Sequence, residues 1–116
     1  MNKDNLLRMA DYIETIPQEQ FDMRFFRAEI IGYCTVLDPE NLPRYGYGRI
    51  DFSTWSEKFT GLCVFSSDWS YLFASDWYIT DDTPTGAAKR IRYYVEHGLP
   101  EDWEEQMYGV SPLSYL

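Results

Sequence analysis

Asp82-Thr83-Pro84-Thr85-Gly86-Ala87-Ala88-Lys89-Arg90-Ile91-Arg92-Tyr93-Tyr94-Val95-Glu96-His97-Gly98 carries the strongest structural signal in the chain. Ala87, Ala88, Ile91, Tyr94 and Val95 recur at the three- and four-residue steps that put apolar side chains on one face of an α-helix. Asp82 or Thr83 stands where a polar side chain caps the first free N–H groups. Pro84 falls at the first helical position, where a missing N–H is harmless. Gly98 and Pro100 close the segment. The stretch predicts a helix over 82–98.

Reading outward from it, residues 101–108 predict a last helix, opened by Glu101 and Asp102 at the positive end of its dipole. Trp103 and Met107, four apart, face inward there. The tail, residues 110–116, is apolar enough to pack back on the body. Upstream, Ser66 or Ser67 caps a short segment, 68–73, with Trp69, Leu72 and Phe73 on one face. Ser53 is a fitting cap for 54–59, with Glu57 near the first turn and Gly61 as the stop. Residues 4–16 predict the first helix: Leu6, Leu7, Ala10 and Ile13 form its stripe, Asp4 or Asn5 caps it, and Pro17 ends it. Residues 18–27 read as a turn followed by a short helix with Asp22 as cap. Ile30-Ile31-Gly32-Tyr33-Cys34-Thr35-Val36-Leu37 suits a buried strand or a buried helix equally, and Gly32 weakens both. With two prolines and two glycines, 38–48 is a loop. The sum is a mainly α single domain over 1–116 with four to five helices. A short β-hairpin within 28–52 is the α+β alternative.

The chain is 116 residues long, 45% hydrophobic and 18% aromatic. A chain of this size buries about two-thirds of its surface, enough for one core and too little for two. The aromatic surface argues against intrinsic disorder. Nineteen acids face ten bases, for a net charge of −9. Binding to nucleic acid relies on bases that displace counterions from phosphates, so direct association with DNA or RNA is disfavoured, as is association with anionic membranes. The N-terminus lacks the pattern of a secretory signal, and no apolar run reaches the roughly 18 residues of a membrane span. Cys34 and Cys63 lack the Cys-x-x-Cys spacing of redox and zinc sites and read as buried, reduced thiols of a cytoplasmic protein.

Few residues suggest chemistry. His97 is the sole histidine, so any Ser-His-Asp or Cys-His arrangement must run through it, yet its place at a helix C-terminus already accounts for it. Asp76, Asp81 and Asp82 offer oxygen ligands, but their spacing does not match a calcium loop. Among so many acids, no particular carboxylate pair singles itself out as a glycosidase pair. Lys89, Arg90 and Arg92 have too little basic surface around them for nucleic-acid recognition, and read as a solvated face or an anchor for the acidic loop before them. The Thr83-Pro84-Thr85-Gly86 start is no phosphate-binding loop. No catalytic residue, metal or cofactor is expected.

The distribution of acids does exceed background. Between Phe59 and Ala88 there is no Lys or Arg, while Asp68, Asp76, Asp81 and Asp82 occur. After Arg92 there is again none, while Glu96, Glu101, Asp102, Glu104 and Glu105 follow. Trp69, Tyr71, Trp77, Tyr78 and Trp103 are interleaved with them. Acids flanking aromatic anchors suit docking to a basic protein groove, charge steering the encounter and rings supplying the contact energy. Asp76, Trp77, Asp81, Asp82, Glu101, Asp102, Trp103, Glu104 and Glu105 are the candidate partner-binding residues.

Two segments also resemble small uncharacterised proteins of phages and prophages: Asn5-Leu6-Leu7-Arg8-Met9-Ala10-Asp11-Tyr12-Ile13-Glu14 and, more specifically, Asp76-Trp77-Tyr78-Ile79-Thr80-Asp81-Asp82-Thr83-Pro84-Thr85-Gly86-Ala87-Ala88-Lys89-Arg90-Ile91-Arg92-Tyr93-Tyr94. The likeness covers about half the chain. Members of that group often carry Cys-Gly-Thr and a second nearby Cys, whereas this chain has only Gly32-Tyr33-Cys34-Thr35 at that place. The resemblance assigns no catalytic residue. It implies a mobile-element setting inside a host cell, where small acidic proteins inhibit host defence, anti-CRISPR proteins in nucleic-acid channels among them. The expected function is thus a non-enzymatic inhibitor that binds a basic host surface such as a CRISPR effector. The alternative is a phage accessory or structural protein that self-associates, its acids serving solubility.

Overall fold

Among the described residues, the principal pairing joins two helices far apart in sequence: α1, Lys3–Glu14, packs against α4, Pro84–His97. The computed structural model describes residues 1–23, 36–41 and 52–109. Within them the protein is mainly α, with α2 at Phe52–Thr60, α3 at Ser67–Phe73 and α5 at Trp103–Tyr108, and no strand. No described helix is long and apolar enough to cross a membrane.

Helix α1 starts earlier than its sequence suggests. Asn2 is the cap, its Oδ1 accepting the Asn5 N–H at 3.0 Å, which places Asp4 and Asn5 in the first turn instead. Its buried stripe is Leu6, Met9, Ala10 and Ile13, an i, i+3, i+4, i+7 set. Leu7 falls one residue off that set and stands 38% exposed. Helix α4 follows its sequence signals closely. Thr83 supplies the cap, its hydroxyl accepting the Gly86 N–H at 2.9 Å, and Pro84 occupies the first turn. Gly98, at φ 80°, donates its N–H to the Tyr94 carbonyl and ends the helix. Ala87, Ala88, Ile91 and Tyr94 are buried against α1 and the rest of the core, and Val95 is half-buried. Ile13 and Ile91 are fully buried, each contributing about 1.5–3 kcal/mol through water exclusion.

Helix α2 begins at Phe52, so Ser53 lies within its first turn and is not its cap. Its C-terminal carbonyls are taken up by the start of α1: Asn2 N–H donates to the Thr60 carbonyl at 2.6 Å and Asn5 Nδ2 to that of Phe59 at 2.8 Å. These are the groups a helix end leaves free. Gly61 follows at φ 74°, the left-handed conformation that glycine adopts without a side-chain clash. Trp55, fully buried, stacks on Phe59 at 4.8 Å and donates to Asp38 Oδ2. Helix α3 is capped by Ser66, which accepts the Trp69 N–H at 3.1 Å. Trp69 then donates across to the buried Ser56 hydroxyl at 3.0 Å, tying α3 to α2.

Residues 18–20 form a single 3-10 turn, and the short helix expected after Asp22 lies outside the described residues. Most of the 30–37 segment and of the 28–52 hairpin alternative lie outside them too. The described end of that segment, Val36 and Leu37, is helical and not extended, and Pro39–Asn41 forms a 3-10 turn in what reads as loop. The 110–116 tail and Cys34 also lie outside the description. Cys63 is exposed, not buried, because it falls in the α2–α3 connection beyond the apolar Leu62.

Candidate functional site

The acidic loop before α4 folds against the helix it precedes. Asp81 sits above the first turn of α4, its Oδ1 accepting the Thr83 hydroxyl at 2.6 Å and its Oδ2 facing Arg90 Nη1 at 3.2 Å. A methyl group at Gly86 would overlap that carboxylate, so only a residue without Cβ leaves Asp81 in place. Arg90 is the anchor that the acidic loop calls for. Its side chain is 6% exposed, and its guanidinium carbon lies 3.9 Å from the centroid of the Trp77 ring, well inside the range of a cation–π contact.

Trp77 belongs to a 3-10 turn, Ser75–Tyr78, which follows α3 directly. Its Nε1 donates to the Tyr71 carbonyl at 2.7 Å and its ring meets Tyr71 edge-on at 5.9 Å. Trp77, Tyr71, Arg90 and Asp81 line one wall system of a cavity of about 460 Å³, completed by Thr80, Gly86, Lys89, Tyr93 and Gln106. That volume is of the size that holds a small organic molecule. Burial pushes the Arg90 guanidinium down to about 10, against the pull of Asp81, so it remains a cation at neutral pH. Burial also raises the Tyr71 phenol above its ordinary value and keeps it neutral. Arg90 Nε and Nη2 are buried and have no hydrogen-bond acceptor among the described residues.

The nine candidate partner-binding residues divide into two groups. Glu101, Asp102, Glu104 and Glu105 are exposed together on α5 and its lead-in. Asp102 accepts from Gln106 Nε2 at 2.9 Å, and no described Lys or Arg pairs with any of the four. Asp76 is exposed nearby in the chain's fold, since it accepts the hydroxyl of Tyr108 at the end of α5, at 2.8 Å. The other residues turn inward. Trp77 is 3% exposed, so it offers no ring to a partner; the turn that carries it points its indole under Arg90. Trp103 is half-buried against the core. Asp81 is held by Arg90 and Thr83. Asp82 accepts the Met23 N–H on its side chain at 2.6 Å and the Gln18 amide on its carbonyl at 2.9 Å, fastening the 18–23 segment. Trp69 and Tyr71 are core residues as well.

Arg92 bridges to Asp11 at 2.8 Å and to Glu14, joining α4 to α1. His97 is exposed beside Glu96 and packs on the Tyr93 ring at 4.7 Å. Asp76, Asp81 and Asp82 do not converge, and among the described residues no three His, Cys, Asp or Glu side chains come close enough to hold a metal ion. The cavity escapes sequence reasoning because its residues come from α3, the 3-10 turn, α4 and α5. The one local signal is Gly86 on a helix whose stripe would accept alanine. No protein family, no curated protein and no solved structure matches this chain.

Proposed function

We propose that this chain is a non-enzymatic binding protein that docks through the acidic α5 face on the basic groove of a partner protein and inhibits it. The phage-like segments favour a host nucleic-acid-handling protein as that partner, a CRISPR effector being the concrete form. The observation that carries the reading is the exposed set Glu101, Asp102, Glu104 and Glu105, none of which forms an ion pair with a described Lys or Arg. The two arginines of α4 are spent elsewhere, Arg90 on Asp81 and Arg92 on Asp11 and Glu14. A face of one sign steers encounter with the opposite sign and repels wrong partners. With Trp77 inside, the docking energy on this face comes from charge and from the flanking Tyr108, which is 46% exposed.

Changing Glu101, Asp102, Glu104 and Glu105 together to lysine tests this. Capture of a CRISPR effector or another nucleic-acid-binding host protein is expected to fall below detection while the helical CD spectrum persists. Undiminished capture overturns the reading. A second reading, self-association, is favoured by Phe65 and Ile79, which stand 94% and 85% exposed. It predicts a sedimentation mass that rises with concentration and returns to that of one chain in Phe65→Ser.

A further inference from the structure

We infer that Ile79 and Tyr108 form the apolar anchor of the acidic α5 face, and that they dock on a basic stretch of a partner protein in which Lys or Arg alternates with apolar side chains. The inference rests on the reading of that face as a docking surface, and adds the contact that charge alone does not supply. Ile79 follows the 3-10 turn Ser75–Tyr78 and is 85% exposed. Its N–H donates to the Asp76 carbonyl at 3.4 Å, the i, i+3 bond that sets two side chains in line on one side of a 3-10 turn. Asp76 in turn accepts the Tyr108 hydroxyl at 2.8 Å, and the Thr80 hydroxyl donates to the Met107 carbonyl. The turn is thereby tied to the end of α5 at two points, which brings Ile79, Asp76 and Tyr108 to one surface. Glu104 stands four residues before the half-exposed Tyr108 on the same side of α5. The Tyr108 phenol is held above its ordinary value by the bond to Asp76 first, with Glu104 acting in the same direction.

The charge around this anchor selects its occupant. Asp76, Glu104 and Glu105 are exposed, and none of them forms an ion pair with a described Lys or Arg. Lys89 and Arg90 approach α5 beside Gln106, with which they line the cavity. Gln106 lies two residues from both Glu104 and Tyr108, and so on the opposite side of the helix. Phosphate-bearing ligands and anionic membranes are repelled by the acids. A second copy of this chain fits poorly as well, because a two-fold contact through Ile79 sets the same acids against each other. A surface of cations alone leaves Ile79 in water. Cations interleaved with apolar groups pair with the carboxylates and cover Ile79 at once, and one of them can rest on the Tyr108 ring.

Two hexapeptides of equal charge, one alternating Lys with Leu and the other Lys with Ser, test the inference when titrated into the full chain and followed by the backbone NMR signals of Ile79, Glu104 and Tyr108. The Lys–Leu peptide is expected to shift all three saturably and to bind about tenfold more tightly than the Lys–Ser peptide. Ile79→Ser, at an exposed position, should keep the helical CD spectrum, weaken the Lys–Leu peptide about tenfold and leave the Lys–Ser peptide unchanged. Glu104→Lys with Glu105→Lys should weaken both peptides about tenfold. If Ile79→Ser loses its CD spectrum, the two peptides on the wild-type protein decide. Equal binding of the two peptides, or an Ile79→Ser variant that binds both as the wild-type protein does, overturns the anchor and leaves the acidic face standing as a docking surface. Lys–Leu binding that survives the double charge reversal overturns the basic partner and, with it, the reading of that face. Absence of saturable shifts with either peptide overturns both. A sedimentation mass that rises with concentration, and returns to that of one chain in Ile79→Ser, gives the patch to a second copy and overturns the proposal.

Discussion

Asp81 serves three neighbours at once: it accepts from the Thr83 hydroxyl, pairs with Arg90 and fills the space left open at Gly86. In an ordinary helix, Gly→Ala gains about 1 kcal/mol. Here Gly86→Ala should instead lower stability by about 1 kcal/mol, because the new methyl displaces the carboxylate and strands a buried cation. Asp81→Ala should cost about 1–2 kcal/mol, less than a fully buried pair because Asp81 is 40% exposed. In the Asp81→Ala background, Gly86→Ala should become neutral or stabilising. Urea denaturation of the four proteins gives the cycle, and simple additivity would refute the account. The role of Arg90 as anchor for the loop before it is legible from a base set behind a run of acids. The burial of Trp77 is not, since a turn of one 3-10 cycle has no periodicity that says which side faces the core.

Helices α1 and α4 meet through an apolar seam and through Arg92, whose guanidinium reaches both Asp11 and Glu14. The bond to Arg92 holds the exposed Glu14 carboxyl below its ordinary value of 4.5, the first and largest cause of its shift. A carboxylate with a lowered folded pKa contributes stability above its unfolded value and loses it as pH falls through the folded one. The link between the helices should accordingly be intact above pH 4.5 and fade below it. A ¹³C titration of the Glu14 carboxyl should show a midpoint below 4.5 in the wild-type protein and a return to it in Arg92→Ala. An unchanged midpoint would remove Arg92 as the cause. At this scale the sequence is informative where chemistry is local. Thr83, Pro84 and Gly98 bound α4 where their conformational preferences require, and Ser66 caps α3. It is less so where several polar residues compete for one cap, as with Asn2, Asp4 and Asn5, or where the helix begins before the residue that looks like its cap, as with Ser53 and α2.

Among the described residues, negative charge is unevenly disposed. Asp81, Asp82 and, on α1, Asp11 and Glu14 are held by partners within the chain, whereas the acids of α5 face outward. If the α5 face meets a basic groove, association should slow steeply as salt rises, because exposed charges are screened over roughly 8 Å at physiological ionic strength. Stopped-flow association rates at several salt concentrations would measure that slope, and a flat response would point to an apolar contact such as Phe65. The mainly α class was legible from periodicity and caps. The pairing of α1 with α4 was not, because a stripe shows that a helix has a buried face without naming what covers it. The α5 acids were recognisable as a run without bases, but the cavity, assembled from four separate elements, leaves no contiguous trace.

The clasp of α1 on α4 joins residues some eighty positions apart and so closes a long loop of chain. A protease that nicks the chain at the exposed connection around Phe65 should therefore fail to release its products: the halves ought to travel together on a native gel and separate only in denaturant. Severed at that point, the protein would behave as two complementary fragments that reassemble unaided, which makes it a natural candidate for splitting into a reporter pair.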